Sequence, residues 1–210
     1  MLCYHKWHEG QINGDMAEKP LTRRQEQALE TRNRIYNAAV ELMERKGFDN
    51  ITIAEISRAA GVSIGAFYHY FESKNDILAE IFYRADEYFS TQVAPRLGEK
   101  PVPEQILEFF DHYARFNVAS GVAMVRQLFN PRVRFFAWED RPMLALLREL
   151  IRKGQERGEI RADMSPEEMV RFLFVVARGV VFDWGLREGS YDLEAMMRRY
   201  MERIVATLRT

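Results

Sequence analysis

The stretch from Thr52 to Lys74 reads TIAEISRAAGVSIGAFYHYFESK, and its punctuation decides the fold. Thr52 followed three residues later by Glu55 is a capping box, in which the threonine oxygen accepts from the Glu55 amide and the glutamate reaches back to the Thr52 amide. A short helix therefore starts after Thr52. It stops at Ala60-Gly61, where glycine can take the left-handed turn that ends helices. Val62-Ser63 caps a second short helix from Ile64 to about Tyr70, and Ser73-Lys74-Asn75-Asp76 caps a longer one. Two short helices joined by a tight, glycine-containing turn form a helix-turn-helix.

A helix that enters the major groove needs small residues at its exposed N-terminal end, so that backbone and side chains reach base edges. Ser63, Ile64, Gly65 and Ala66 meet that need. Gly65 costs about 1 kcal/mol in a helix relative to alanine, a penalty that makes sense where something approaches closely. Ser63 can contact a base or phosphate, and serves equally as a plain helix cap. Ile64 and Ala66 suit a thymine methyl.

Upstream, Ile35, Ala38, Ala39, Leu42 and Met43 recur at i, i+3, i+4, i+7 and i+8, and Lys46-Gly47 supplies a basic last turn and a glycine stop. This spacing predicts a helix of about four turns beginning near residue 31. Before it, Lys19, Arg23, Arg24, Arg32 and Arg34 outweigh Glu26 and Glu30, giving a basic arm that either follows a DNA backbone or is simply a solvated helix entry. Residues 1–20 show no period and read as a mobile extension. Met16 is a candidate native start. Cys3, His5 and His8 offer three possible metal ligands in that extension, but no functional metal site and no cofactor are expected.

Downstream, the helix after Ser73 carries Ile77, Leu78, Ile81, Phe82, Ala85, Tyr88 and Phe89 and is expected to run until Pro95. Pro95–Pro103, with three prolines and Gly98, is the clearest boundary in the chain. Further helices are expected over 104–119, 122–129, 142–157, 166–188 and 192–208. Ser165-Pro166-Glu167-Glu168 is a strong start, with a capping serine, proline at the first helical position and acids in the first turn. No alternating strand pattern or repeat is present, so the fold class is all-α.

With 210 residues, 47% hydrophobic, and 30 Lys plus Arg against 31 Asp plus Glu, the chain is neither disordered nor a polybasic coat for nucleic acid. A single cysteine excludes an internal disulfide and, with the absence of a signal sequence, fits the cytoplasm. The longest apolar stretch, Phe172–Leu186, is interrupted by Arg178 and Asp183 and falls short of the ~20 apolar residues that span a membrane. Catalysis lacks its parts: there is no G-x-S-x-G elbow, P-loop or H-E-x-x-H. The neighbours Asp111 and His112 point about 100° apart on a helix. The reading is that the protein is not an enzyme.

The stretch from Thr52 to Lys74 also closely resembles the DNA-binding segment of tetracycline-repressor-type (TetR family) regulators. In that family a capped second helix, the turn A-G-V-S, a recognition helix G-x-[LF]-Y-x-[HY]-F and a following S-K occur in this order. The phrase G-x-x-R-G-E-I-R-A-D at Gly154–Asp163 and the two long closing helices extend the likeness. The resemblance implies an N-terminal three-helix helix-turn-helix domain over 21–75, and a C-terminal helical domain for effector binding and dimerisation over 76–210. It further implies that Thr52, Tyr68, Tyr70 and Lys74 clamp DNA phosphates, while His69 occupies a position that varies in the family. On physical grounds Phe67 and Phe71 are expected to be buried and both tyrosines at the surface, with packing of the tyrosines in the small core as the alternative.

Twelve aromatic residues between Phe109 and Trp184 exceed what a small helical core requires. The family resemblance implies an effector pocket among them, apolar with a few polar groups. The expected lining is Phe109, Tyr113, Phe116, Asn117, Arg126, Phe129, Phe172 and Val176, with Arg178 and Asp183 as further polar candidates; each is also a candidate for core, dimer contact or surface. The last two helices are apolar over more than one face, which suits a four-helix bundle between two copies. The expected protein is a homodimeric repressor on a palindromic operator of double-stranded DNA, released by a small, largely apolar effector through the helix after Lys74. A helical interaction module with a vestigial helix-turn-helix is the remaining alternative.

Overall fold

The computed structural model describes residues 22–129 and 141–210, and every described element longer than an isolated bridge is helical. The chain divides into two units between Arg34 and Ile35. The first is described only from Thr22, where Thr22 and Gln25 exchange hydrogen bonds of 2.9 and 3.4 Å across the first turn. This cap starts α1 at Arg23, so α1 (Arg23–Lys46) begins earlier than the apolar stripe predicts. Polar residues extend a helix beyond its buried face when a cap holds its end. The expectations for residues 1–20, including Cys3, His5, His8, Met16 and Lys19, lie outside the described residues.

In the second unit, Ile35, Tyr36, Ala38, Ala39, Leu42 and Met43 form the buried face of the continuing helix, as the spacing predicts. A 3₁₀ turn (Phe48–Asn50) follows Gly47, whose φ of 77° favours glycine. Then come α2 (Ile53–Ala60), α3 (Ile64–Tyr70) and α4 (Lys74–Tyr88). Their core is built on Ile35, Met43, Ile56, Phe67 and Ile77, each no more than 2% exposed. It also takes in Leu78, Ile81 and Phe82 of α4. From Ala85 onward α4 packs instead with the second core, so one helix is rooted in both. A division at residue 75 therefore cuts through packing that α4 makes continuous.

Pro95 does not end the helical path. A π-helical turn (Phe89–Val93) leads into α5 (Ala94–Leu97), where Pro95 occupies an opening position that needs no amide donor, and Gly98 stops it with φ 61°. Val93, Leu97 and Val102 are all buried in the second core, so the proline-rich segment is a corner of it and no linker. The remaining helices are α6 (Val102–Ser120), α7 (Val122–Leu128), α8 (Pro142–Glu156), α9 (Pro166–Leu186) and α10 (Leu193–Leu208). Ser165 and Glu168 form the reciprocal cap of α9, with bonds of 2.9 and 3.2 Å, and Asp192 accepts from the Ala195 amide at 3.0 Å to begin α10.

Close-packed rings fill the middle of this bundle. Phe109 lies 4.5 Å from Phe89 and 5.2 Å from Phe110 between centroids, and Phe174 meets Phe110 and Tyr113 at 5.5 and 5.4 Å. Such offset and edge-on pairs stabilise a core beyond simple burial. The G-x-x-R-G-E-I-R-A-D phrase proves structural. A Cβ at Gly154 would fall 2.7 Å from Ile160 Cγ1 and 2.8 Å from Val102 Cγ1, so only glycine lets α8 approach this closely. Glu159 accepts from the Val102 amide and caps α6.

Candidate functional site

Glu55 draws two elements together at the start of α2. Its carboxylate accepts from the Thr52 amide at 2.9 Å and from Lys46 Nζ at 2.7 Å, while Thr52 Oγ1 accepts from the Glu55 amide at 3.2 Å. The Lys46 ammonium, with the Thr52 bonds, holds the Glu55 carboxyl down at about 2. Thr52 is exposed at the mouth of α2, where amides and helix dipole attract phosphate.

Gly61, with φ 66°, turns the chain in the left-handed conformation and sends it into α3. Ser63 Oγ accepts from the Ala66 amide at 3.0 Å, so its role as cap is realised. Phe67 and Phe71 are 0% and 3% exposed and anchor α3 from beneath. With that face fixed, the helical period turns Ile64, Gly65, Tyr68 and His69 outward, and Ile64 and Tyr68 are 50% and 53% exposed. A Cβ built on Gly65 meets only Ser63 Oγ, at an ordinary 3.8 Å. Nothing in the fold requires glycine there. Ala66 is half-buried. Tyr70 is also half-buried and packs against the small core, so only Tyr68 of the two tyrosines takes the surface position expected for both.

Lys74 departs further from expectation. Its Nζ donates to the carbonyls of Phe48 at 2.7 Å, Ile51 at 3.0 Å and Asp49 at 3.4 Å, and sits 4.6 Å over the Phe48 ring. An ammonium has three donors, and all three close the 3₁₀ turn onto α4. Lys74 is a bracket within the headpiece, tying the 3₁₀ turn to the start of α4.

Above the headpiece, α4 leads to two spaces. An open groove of about 600 Å³ runs between α1, α4 and α6, bordered by Tyr36, Glu41, Arg84, Glu87 and Tyr88. Arg84 Cζ sits over the Tyr36 ring, 3.8 Å from its centroid, and burial pushes the Tyr36 hydroxyl up to about 12. At its rim Tyr88 is hydrogen-bonded to His112 Nδ1 at 2.7 Å, while Asp111 faces the other way and accepts from Arg198 at 2.7 Å. Asp111 and His112 thus diverge, as their adjacency on a helix requires.

A smaller cavity of about 30 Å³ lies among α4, α6, α7 and α9. Of the expected pocket residues, Tyr113, Phe116, Asn117 and Phe129 line it, joined by Arg178 from the polar candidates. Phe109 is spent in the ring-packed core, 0% exposed, and does not reach the cavity. Arg126 is exposed and pairs loosely with Glu188 at 3.5 Å; Val176 packs at the core margin. Phe172 points outward, 36% exposed, because the buried face of α9 is set by Met169, Leu173, Phe174 and Ala177. Asp183 pairs with Arg187 and Tyr191. Phe135, Phe136 and Trp138 lie outside the described residues.

The residue sequence reasoning missed is Arg141, 6% exposed beside the cavity. It donates to both Asp86 oxygens at 3.0 and 3.1 Å and to the Phe82 carbonyl at 3.0 Å. An arginine directly before the proline that opens a helix reads as a solvated start, and only the tertiary position of Asp86 reveals otherwise.

A helix-turn-helix with an exposed, sterically open recognition helix, continuous through one long helix with an aromatic bundle, defines a one-chain transcriptional regulator. Residues 35–81 match the family described as bacterial regulatory proteins, tetR family, and residues 140–207 match the YsiA-like protein C-terminal region of such regulators; together they cover more than half of the chain. The chain belongs to the TetR family and is a DNA-binding transcriptional regulator, not an enzyme. It is similar to the HTH-type transcriptional repressor BepR of Brucella suis biovar 1, 28% identical over 90% of this chain and 97% of that protein. It is also similar to the fatty acid metabolism regulator protein of Bacillus subtilis, 26% identical over 82% and 92%. Among solved structures, FadR of Thermus thermophilus in complex with lauroyl-CoA superposes with a TM-score of 0.61 at 25% identity, covering 83% of this chain and 93% of that one. Among the described residues no helix is long and apolar enough to cross a membrane.

Proposed function

We propose that this regulator acts in the cytoplasm as a homodimer that reads a palindromic operator with α3 and leaves it when a largely apolar effector enters the bundle. The observation that carries the DNA reading is the outer face of α3: Ile64 and Tyr68 stand exposed around a glycine for which the fold has no use. Thr52, Tyr68 and the amides opening α4 would hold phosphates, and Ser63, Ile64, Gly65 and Ala66 the base edges, with His69 at the margin and Tyr70 bracing the helix. Residues 21–75 would then contribute the DNA-reading surface, and 76–210 the effector and dimer surfaces, with α4 serving both.

The dimer reading rests on α9. Phe172, Val175, Phe182 and Leu186 are 36%, 64%, 43% and 65% exposed, and with Gly179 they recur every three or four residues as one stripe. A Cβ at Gly179 meets nothing within 4 Å of its own chain, leaving room for a close partner helix. Tyr200 of α10, 44% exposed, extends the apolar area. Two copies would set their recognition helices one turn of DNA apart, about 34–36 Å.

The effector reading rests on the small, largely apolar cavity beneath α4. The FadR relative is solved with lauroyl-CoA, and an acyl-type ligand is the starting candidate for this chain. Fluorescence anisotropy on an operator selected from random duplex DNA tests the proposal: added effector lowers affinity, at an allosteric coupling of about 1–3 kcal/mol. An operator affinity that no acyl-type compound alters would reduce the protein to a constitutive binder.

A further inference from the structure

Lys46, the last residue of α1, is tied down at both ends. Its carbonyl accepts from Asn50 Nδ2 at 2.8 Å, and its Nζ donates to Glu55 Oε1 at 2.7 Å. The Lys46 side chain stays 50% exposed and that of Glu55 29%, so the pair lies at the surface beside the mouth of α2. The other Glu55 oxygen accepts from the Thr52 amide and from the Thr52 hydroxyl, each at 2.9 Å. Both carboxylate oxygens are therefore occupied, and the lowered pKa keeps Glu55 an anion at neutral pH.

That anion stands where DNA would bring another. A phosphate held at Thr52 would lie within about one helical turn, roughly 5 Å, of the Glu55 carboxylate. At this separation two like charges repel even through water. The cap itself does not need the charge, since glutamine serves at the same position. An exposed ion pair also adds little to stability. The Thr52 hydroxyl has a single hydrogen, and here it is given to Glu55, so a phosphate competes with the carboxylate for it. When the hydroxyl turns away, Lys46 and the Thr52 amide still hold Glu55 in place.

Building on the reading that Thr52 meets a phosphate, we infer that Lys46 is a positioning residue for DNA binding. It cancels the Glu55 charge beside the backbone and lets Thr52 pass its hydroxyl from that carboxylate to the phosphate. The effect of Lys46 runs through Glu55 and not through a phosphate contact of its own.

Fluorescence anisotropy of the full chain, on the selected operator and on an unrelated duplex of equal length, tests this role. Lys46→Met should weaken binding about tenfold on both, because phosphate contacts carry no sequence information. Lys46→Arg should keep the parent affinity. Glu55→Gln alone should bind as tightly as the parent or more tightly. Lys46→Met combined with Glu55→Gln should return to within about threefold of the parent, with melting temperatures alike across the series. Parent-like binding by Lys46→Met, a double variant as weak as Lys46→Met, a loss on Glu55→Gln alone, or affinities that simply follow melting temperature would each overturn the inference. Thr52→Gly removes the hydroxyl and keeps a workable cap, which separates this role from the reading beneath it. If Thr52→Gly weakens binding and Lys46→Met does not, the positioning role falls alone. If neither does, the phosphate reading falls with it.

Discussion

Asp86 near the end of α4 and Arg141 at the head of α8 form a two-pronged ion pair, 3.0 and 3.1 Å long, with side chains only 13% and 7% exposed. Removing one partner of a buried pair leaves the other charge uncompensated. Asp86→Asn is expected to cost about 3–5 kcal/mol in urea unfolding, and the pairing of Asp86→Asn with Arg141→Met to recover much of that loss. Additive costs in the double variant would contradict a coupled pair.

Gly65 separates the demands of the fold from those of DNA. Gly65→Ala is expected to leave stability unchanged or raise it by up to about 1 kcal/mol, because alanine is the better helix former and its methyl meets no clash. Operator affinity should fall in the same variant, by the ~1–3 kcal/mol that a base contact carries. Chemical denaturation and anisotropy on one preparation measure both.

Tyr68 and Lys74 should behave differently, although both occupy motif positions. Tyr68→Phe removes an exposed hydroxyl, so operator affinity drops alike for every sequence while the melting temperature stays. Lys74→Met strips the donors from three carbonyls and is expected to destabilise the headpiece by about 1–3 kcal/mol, losing DNA binding only through unfolding. A double substitution of both residues would confuse the two effects.

These contrasts mark how far the sequence could be read. Caps, glycine stops and apolar spacing are local, and Thr52, Gly61, Ser63 and Ser165 all act where their neighbours in the chain predict. What the chain could not reveal locally depends on distant partners. Lys74 meets carbonyls more than twenty positions upstream, Arg141 finds Asp86 across the bundle, and Phe109 and Phe172 lie on opposite faces of the packing that their shared chemistry does not distinguish. Pro95 has the local signature of a stop because prolines break helices, yet at a helix start it breaks nothing.

Glu55 provides the pH test. Its carboxyl is held at about 2 in the folded state against an ordinary 4.5, so its stabilising contribution is present above the ordinary value and is lost as pH falls through about 2. Carbon-detected NMR titration of Glu55 should show no protonation at pH 4, and Lys46→Met should move the midpoint upward. A midpoint near the ordinary value in the parent chain would mean that the Lys46–Thr52 cap does not persist in solution.

Val175→Asp on the exposed stripe of α9 is expected to convert a dimer to a folded monomer in light scattering, with operator affinity lost and helicity retained. A parent chain already monomeric at micromolar concentration would contradict the proposed pairing.

The central claim is that α3 reads DNA sequence in duplicate. Selection of bound duplexes from random DNA by the parent chain tests it most directly. The expected result is one enriched inverted repeat, its half-sites about one helical turn apart or somewhat more, and lost when α3 carries Gly65→Ala together with Tyr68→Phe. Enrichment of no sequence, or of an unpaired half-site by a proven dimer, would contradict it.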